Sequence, residues 1–244
     1  MTAMSAWTPL SGTTSNIAAS WGIAPGPILL LGPPGSGKGT QSMELASRWG
    51  IPRISTGDIL RMNVSRSTPL GKVAADFMNK GKLVPDDLIS EMVADRLRRA
   101  DTDRGFILDG FPRTVCQAVW LDGFLSAYAT PLLVLNIQVD FKLLVSRITR
   151  RRICRVCETT YHDEFRPPRA AGICDNDGAA LEQRSDDKLE IIQERFHVYR
   201  KQTEPIIERY RDSGTFFAVD GDQPIAQVTD FMVSTIHRSR ENHN

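Results

Sequence analysis

Residues 32–40 read GPPGSGKGT; they follow the apolar run Ile28-Leu29-Leu30-Leu31 and lead into KGTQSMELASRW. Glycines let a backbone turn so tightly that successive N–H groups point inward at one anion. Lys38 adds a point charge, and a helix opening behind it offers its positive end. Strand, glycine-rich loop and helix in that order make a phosphate cradle rather than a simple turn. One position departs from the commonest version of this loop. Gly39 stands where GTPases and motor ATPases carry a metal-binding hydroxyl, and the hydroxyl comes one residue later, at Thr40. That points away from both classes.

Other residues suit the same chemistry. Arg147, Arg150, Arg151 and Arg152 share one stretch, with Arg184 and Arg195 further on. Alone, such a run is a solvated helix face. Beside a phosphate loop it has another use, because triphosphate chemistry needs several cations converging on one site. Asp109, at the end of an apolar run, can hold Mg²⁺ through its waters. No nucleophile with an adjacent base stands out, so the acceptor of a transferred group is a second substrate.

A second constellation is Cys154-x2-Cys157-x16-Cys174-x2-Asp177. Two knuckle-like pairs at this spacing suit a tetrahedral Zn²⁺. Asp175 competes for the fourth place and His162 offers a nitrogen; Cys116 lies far off in sequence and reads as a packed core residue. Four protein ligands leave no open position, so the metal is structural. An insert of about thirty residues cannot bury enough surface to fold by itself.

These residues need elements to hold them. Apolar runs at 27–31, 52–55, 105–109, 131–138 and 215–219 read as strands, and amphipathic stretches at 38–49, 69–80, 86–100, 114–128, 140–152, 186–212 and 223–238 as helices. Their alternation predicts an α/β fold, a five-stranded parallel sheet wrapped by helices. Asp86 and Asp87, Thr114, and Asp186 with Asp187 stand where helix first turns want them. Two segments interrupt the alternation, a helical one at 55–84 and a loop-like one at 153–185. Both read as inserts over the face where open α/β sheets bind ligands.

The 244 residues carry 30 basic and 29 acidic side chains, so nothing overall favours a polyanionic partner. The longest apolar run, near 131–139, is of strand length, too short to span a bilayer. Residues 1–26 contain no charged side chain and lack the basic start of a secretory signal and the arginines of a mitochondrial presequence. They read as a disordered extension of a cytoplasmic protein.

GPPGSGKGT resembles the phosphate loop of adenylate kinases. STGDILR at 55–61, GKLVPDDL at 81–88 and LDGFPRT at 108–114 follow in that family's order and spacing. The resemblance covers most of residues 27–224. It implies a P-loop nucleotide kinase domain over 27–244, with a core of 27–54, 85–150 and 188–244, a nucleoside-monophosphate (NMP) binding insert at 55–84 and a lid at 151–187. It implies MgATP and AMP as substrates, ADP as product, no nucleic acid or membrane partner, and a monomer. On the ATP side the matching positions are Gly35, Ser36, Gly37, Lys38, Gly39, Thr40, Arg147, Arg151, Thr160, Tyr161 and the backbone at Gln223. On the AMP side they are Thr56, Arg61, Lys82, Leu83, Val84, Gly110, Phe111, Pro112, Arg113, Gln117, Arg184 and Arg195. Lys38, Arg113, Arg151, Arg184 and Arg195 fall at the catalytic positions. Gln117 is chemically apt, since a carboxamide can donate and accept along an adenine edge. Thr56 could equally cap the helix beginning near Asp58. Likeness to the zinc-bearing lids of some bacterial members favours Asp177 as fourth ligand. Two other readings stand beside this one: a kinase for UMP, CMP or GMP, and a non-catalytic nucleotide sensor whose cysteine segment presents a surface to a partner.

Overall fold

The computed structural model describes residues 24–242 apart from Glu158. The disorder expected over 1–26 lies, up to residue 23, outside the described residues, and Gly26 already belongs to a strand. In chain order the elements of the first half are β1 (Gly26–Leu31), α1 (Lys38–Trp49), β2 (Arg53–Ser55), α2 (Thr56–Ser65), α3 (Pro69–Asn79), α4 (Asp86–Leu97), β3 (Gly105–Asp109), α5 (Val115–Leu125) and β4 (Leu133–Gln138). Then come α6 (Phe141–Thr149), β5 (Arg151–Cys154), β6 (Thr160–His162), β7 (Leu181–Glu182), α7 (Leu189–Val198), α8 (Pro205–Arg211), β8 (Phe216–Asp220) and α9 (Ile225–Glu241).

Five strands form one sheet in the order β2-β3-β1-β4-β8, every neighbouring pair parallel. A parallel sheet is covered on both faces, and its central strands must be apolar throughout. β1 obeys this, with all six residues buried. Leu29 and Leu31 face a core shared with Leu60, Val93, Leu121 and Ile206, whereas Ile28 and Leu30 face Leu45, Trp49, Met232 and Ile236 on the other side. Because β1 lies at the centre, the loop leaving its carboxyl end sits at the crevice of the open sheet.

Three differences from the sequence pattern matter for the site. The helix expected over 140–152 stops at Thr149, and Arg151 already belongs to β5. The stretch expected as loop carries a small antiparallel sheet, β6-β5-β7, pairing Arg151 with His162 and Cys154 with Leu181. The helix expected over 186–212 is broken in character. Asp186 and Asp187 lie in a 3-10 turn before α7. Between α7 and α8 the chain makes a π turn over Tyr199–Thr203, in which Glu204 N donates to Tyr199 O. Pro205 has no N–H to continue the ordinary ladder, which favours the wider turn.

Candidate active site

The loop after β1 is built as its sequence requires. Gly32 has φ of 139°, and a Cβ there would stand 2.6 Å from Ile137 O. Gly37 caps α1 with φ of 97° and offers no side chain, and the first turn of α1 contains no acid. The first N–H groups of the helix are therefore open to an anion from outside the chain. Lys38 Nζ meanwhile donates to Gly32 O at 2.7 Å and Pro33 O at 2.8 Å.

This loop floors a cleft of about 710 Å³. Gly35 to Thr40, Arg147, Arg151, Thr160, Tyr161 and Gln223 border it, together with Arg61, Leu83, Asp109, Gly110, Pro112, Arg113, Arg184 and Arg195. A smaller cavity of about 70 Å³ adjoins it, bordered by Thr56, Lys82, Val84 and Gln117, with Arg61, Arg113 and Arg195 common to both. Phe111 borders neither; its ring is fully buried and meets Trp120 edge-on at 5.8 Å. Tyr161 borders the cleft but turns its hydroxyl to Cys174 Sγ and Asp175 N.

The cations are crowded. Burial lowers the Lys38 ammonium to about 7; Asp109 opposes the shift, and Arg113, Arg195 and Arg151 reinforce it. Burial also lowers Arg113 to about 10 and Arg184 to about 9, again with neighbouring arginines adding to the effect. Arg184 Nε is buried without a partner. Carboxylates of the chain absorb part of this charge. Asp58 accepts from Arg61 and lies 2.6 Å from Arg53, and against the burial that would raise it these arginines hold it well below the usual range. Asp186 is held near 2 in the same way, by Arg195 above all. Arg53 also meets Asp109 Oδ2 at 2.9 Å, and Ser42 Oγ sits 3.4 Å from the same oxygen. Arg53, Asp58, Asp186 and Asp187 were not among the expected site residues. Asp58 lies inside the STGDILR string, Asp186 and Asp187 carry only a helix-start signal in the sequence, and Arg53 carries none.

Further corrections concern single residues. Ser55, not Thr56, caps α2, its hydroxyl accepting from Asp58 N; Thr56 is the first helical residue and donates to Gly110 O at 2.7 Å. Cys116 is exposed on α5 rather than packed in the core. The remaining cysteines converge: the Sγ atoms of Cys154, Cys157 and Cys174 and an Asp177 oxygen all lie within 4.8 Å of one another. Neither rival ligand belongs to this cluster. Asp175 Oδ1 accepts from Arg169 N, and His162 Nδ1 accepts from Glu164 N and Phe165 N. Backbone N–H groups of Val156 and Cys157 point at Cys154 Sγ, as thiolates bound to a cation require. Three thiols and a carboxylate in this arrangement fit Zn²⁺.

A cleft of this cationic character, on a glycine loop with Gly39 in place of the usual hydroxyl, suits a ligand with several phosphates. A model of the adenylate kinase family matches residues 30–215. The chain belongs to the adenylate kinase family. An adenylate kinase of Symbiobacterium thermophilum is 49% identical over 214 residues, which is 87% of this chain and 99% of the relative. The adenylate kinase of Bacillus subtilis is 48% identical over 202 residues, 82% of this chain and 93% of that one. One from Thermoanaerobacter pseudethanolicus is 49% identical over the same length, 82% of this chain and 93% of its own. Adenylate kinases are phosphotransferases that use MgATP, and the site is that of a phosphotransferase.

Proposed function

We propose that MgATP lies with its phosphates on residues 35–40 and its base toward Arg147 and Gln223, while AMP occupies the side of Thr56, Arg61, residues 82–84 and Gln117. The γ-phosphoryl group passes from one to the other, giving two ADP reversibly. The observation that carries this reading is the surplus of buried positive charge: Lys38, Arg113, Arg184 and Arg195 are all lowered by their surroundings. Polyphosphate is the ligand that relieves such crowding.

Phosphoryl transfer needs positioning and charge neutralisation more than covalent help from the protein. Lys38 would leave the carbonyls of its own loop for the transferred group. Arg61 and Arg113 would grip the AMP phosphate, and Arg151, Arg184 and Arg195 would hold the transfer zone, leaving Asp58, Asp186 and Asp187 as they do so. Asp109 would hold Mg²⁺ through its waters, and the ion would supply further positive charge to the phosphates. We further infer that residues 55–84 close on AMP and residues 151–187 close on ATP, which excludes water from the transfer. The latter segment would be stiffened by a structural Zn²⁺ on Cys154, Cys157, Cys174 and Asp177. Both sites are built from one chain, which supports a monomer. Among the described residues no helix is long and apolar enough to cross a membrane; a cytoplasmic enzyme fits this reading.

The test is direct. Protein mixed with ADP and Mg²⁺ should yield ATP and AMP, and with ATP as donor AMP should outcompete UMP, CMP and GMP. Lys38→Ala and Arg113→Ala should each lower turnover by about 3–4 kcal/mol of transition-state stabilisation. Failure to disproportionate ADP, or near-normal turnover in both variants, would refute the assignment.

A further inference from the structure

Gln117 is 2% exposed and its carboxamide is held at both ends. Nε2 donates to Asp86 Oδ1 at 2.7 Å, and Oε1 accepts from Arg113 N at 2.7 Å. Neither partner can exchange roles, since an ionised carboxylate only accepts and a backbone N–H only donates. Rotating the amide by half a turn would set its oxygen against the Asp86 carboxylate and its NH₂ against the Arg113 N–H. The carboxylate is itself fixed: Thr114 Oγ1 donates to Asp86 Oδ2 at 2.7 Å while accepting from Gln117 N at 3.1 Å. Asp86 opens α4 and Thr114 caps α5, so two helix starts meet around this one amide.

We propose that Asp86 is a specificity-determining positioning residue, which locks the Gln117 carboxamide in one of its two orientations and thereby selects the acceptor base. The proposal rests on the reading of Gln117 as the residue facing the AMP base. An amide has two acceptor and two donor positions. The lock uses one of each, leaving Gln117 one lone pair and one N–H in a fixed order. Adenine offers along its edge a donor, the 6-amino group, beside an acceptor, N1. Hypoxanthine and guanine offer the reverse, a 6-oxo acceptor beside an N1–H donor. A glutamine free to turn would serve both patterns; one held between a carboxylate and a peptide N–H serves a single pattern. The discrimination therefore originates outside the pocket surface, at Asp86, which borders neither cavity.

The experiment compares AMP with inosine monophosphate as acceptor, MgATP being the donor. Inosine monophosphate reverses the polarity of the edge without adding the 2-amino group of guanine. Asp86→Ala, in which water can donate or accept in place of the carboxylate, should lower the ratio of kcat/KM for AMP over inosine monophosphate by roughly tenfold or more, the scale of a buried hydrogen bond. Part of the change should be a gain with inosine monophosphate, and the KM for MgATP should hold. Asp86→Asn, which keeps the shape but can present either an oxygen or an NH₂, should fall between wild type and Asp86→Ala. It also supplies the readout if the alanine variant fails to fold. A purely structural role would depress both acceptors alike; an unchanged ratio in both Asp86 variants overturns the proposal. Gln117→Ala separates the two levels. If it lowers the ratio while the Asp86 variants do not, the lock is wrong and the pocket stands; if it leaves AMP kinetics untouched, the reading of Gln117 itself fails.

Discussion

Arg151 and Asp187 meet at two points, the guanidinium reaching both carboxylate oxygens, with Nε to Oδ2 at 2.8 Å and no solvent exposure of the acid. Arg195 Nη1 donates to the same Asp187 Oδ1 at 3.1 Å. Asp187 thus joins the start of the cysteine segment to the start of α7 and stands where the two arginines would otherwise face each other. Asp187→Ala should leave the buried Arg151 guanidinium without its carboxylate, while Arg195 keeps Asp186, and reduce stability by about 3–5 kcal/mol. Urea unfolding of the nucleotide-free protein measures this, and an unshifted midpoint would count against the carboxylate's role as a counter-ion.

Lys38 should make nucleotide binding pH-dependent. Its folded value, lowered by burial to about 7 from 10.5, means that charging it in the empty cleft opposes folding. The penalty is complete below pH 7 and disappears above 10.5, so this group adds stability as pH rises through that window. A triphosphate restores the charge, so binding at pH 8 should take up close to one proton, fading as pH falls below 7. Calorimetry of ATP binding in buffers of different ionisation enthalpy gives the count. Equal uptake in Lys38→Met would assign the proton to another group.

Chelation should affect heat tolerance before it affects chemistry. None of Cys154, Cys157, Cys174 and Asp177 is among the proposed phosphate contacts, so metal-stripped protein should turn over near normally in the cold and lose activity on warming well below the intact protein. Asp177→Ala should weaken zinc retention, and Asp175→Ala, whose carboxylate is engaged with Arg169 N, should not. Metal content and melting curves of the two variants decide this; immediate loss of turnover in folded, metal-free protein would make the ion part of the reaction.

Arg240 should prove a stabilising residue with no kinetic effect. It is 3% exposed on α9, and its guanidinium donates to Pro25 O, Pro27 O and Pro131 O, fastening the last helix to the N-terminal ends of β1 and β4. Lysine cannot reach three carbonyls spread around a planar fork. Arg240→Lys should therefore lose stability nearly as Arg240→Met does, by about 1–3 kcal/mol, with KM for both nucleotides unchanged. Full rescue by lysine would show that charge alone suffices.

Much of the core was legible because its signals are local. α1 spans the residues expected of it, since Gly37 and Gly50 bracket it in left-handed conformations that other residues avoid. All five strands of the large sheet were visible as apolar runs. The small sheet was not, because strands of two to four residues leave no period to read. Asp186 and Asp187 look like helix-start acids in sequence, and only tertiary packing turns them toward Arg195 and Arg151. The cradle of Gln117 joins residues 31 positions apart, a distance over which residue types carry no signal. Cys116 misled for the opposite reason: cysteine is usually buried, and nothing in the sequence shows which face of α5 looks outward.

The π turn at Tyr199–Thr203 gives α7 and α8 one residue more than a uniform helix would hold, and each residue turns a helix by about 100°. Upstream, that phase presents Arg195 to the cleft; downstream, it seats Ile206 in the core and brings the Tyr210 hydroxyl 2.8 Å from Asp122. Removing one residue here would bring the two halves back into a single phase, so that Arg195 and Tyr210 could not both keep their places. Loss of a residue between 199 and 203 should therefore lower the melting temperature far more than alanine at Arg200 or Lys201, both of which leave the count intact. The segment acts as a spacer whose length is set by two distant places, one at the cleft and one in the core.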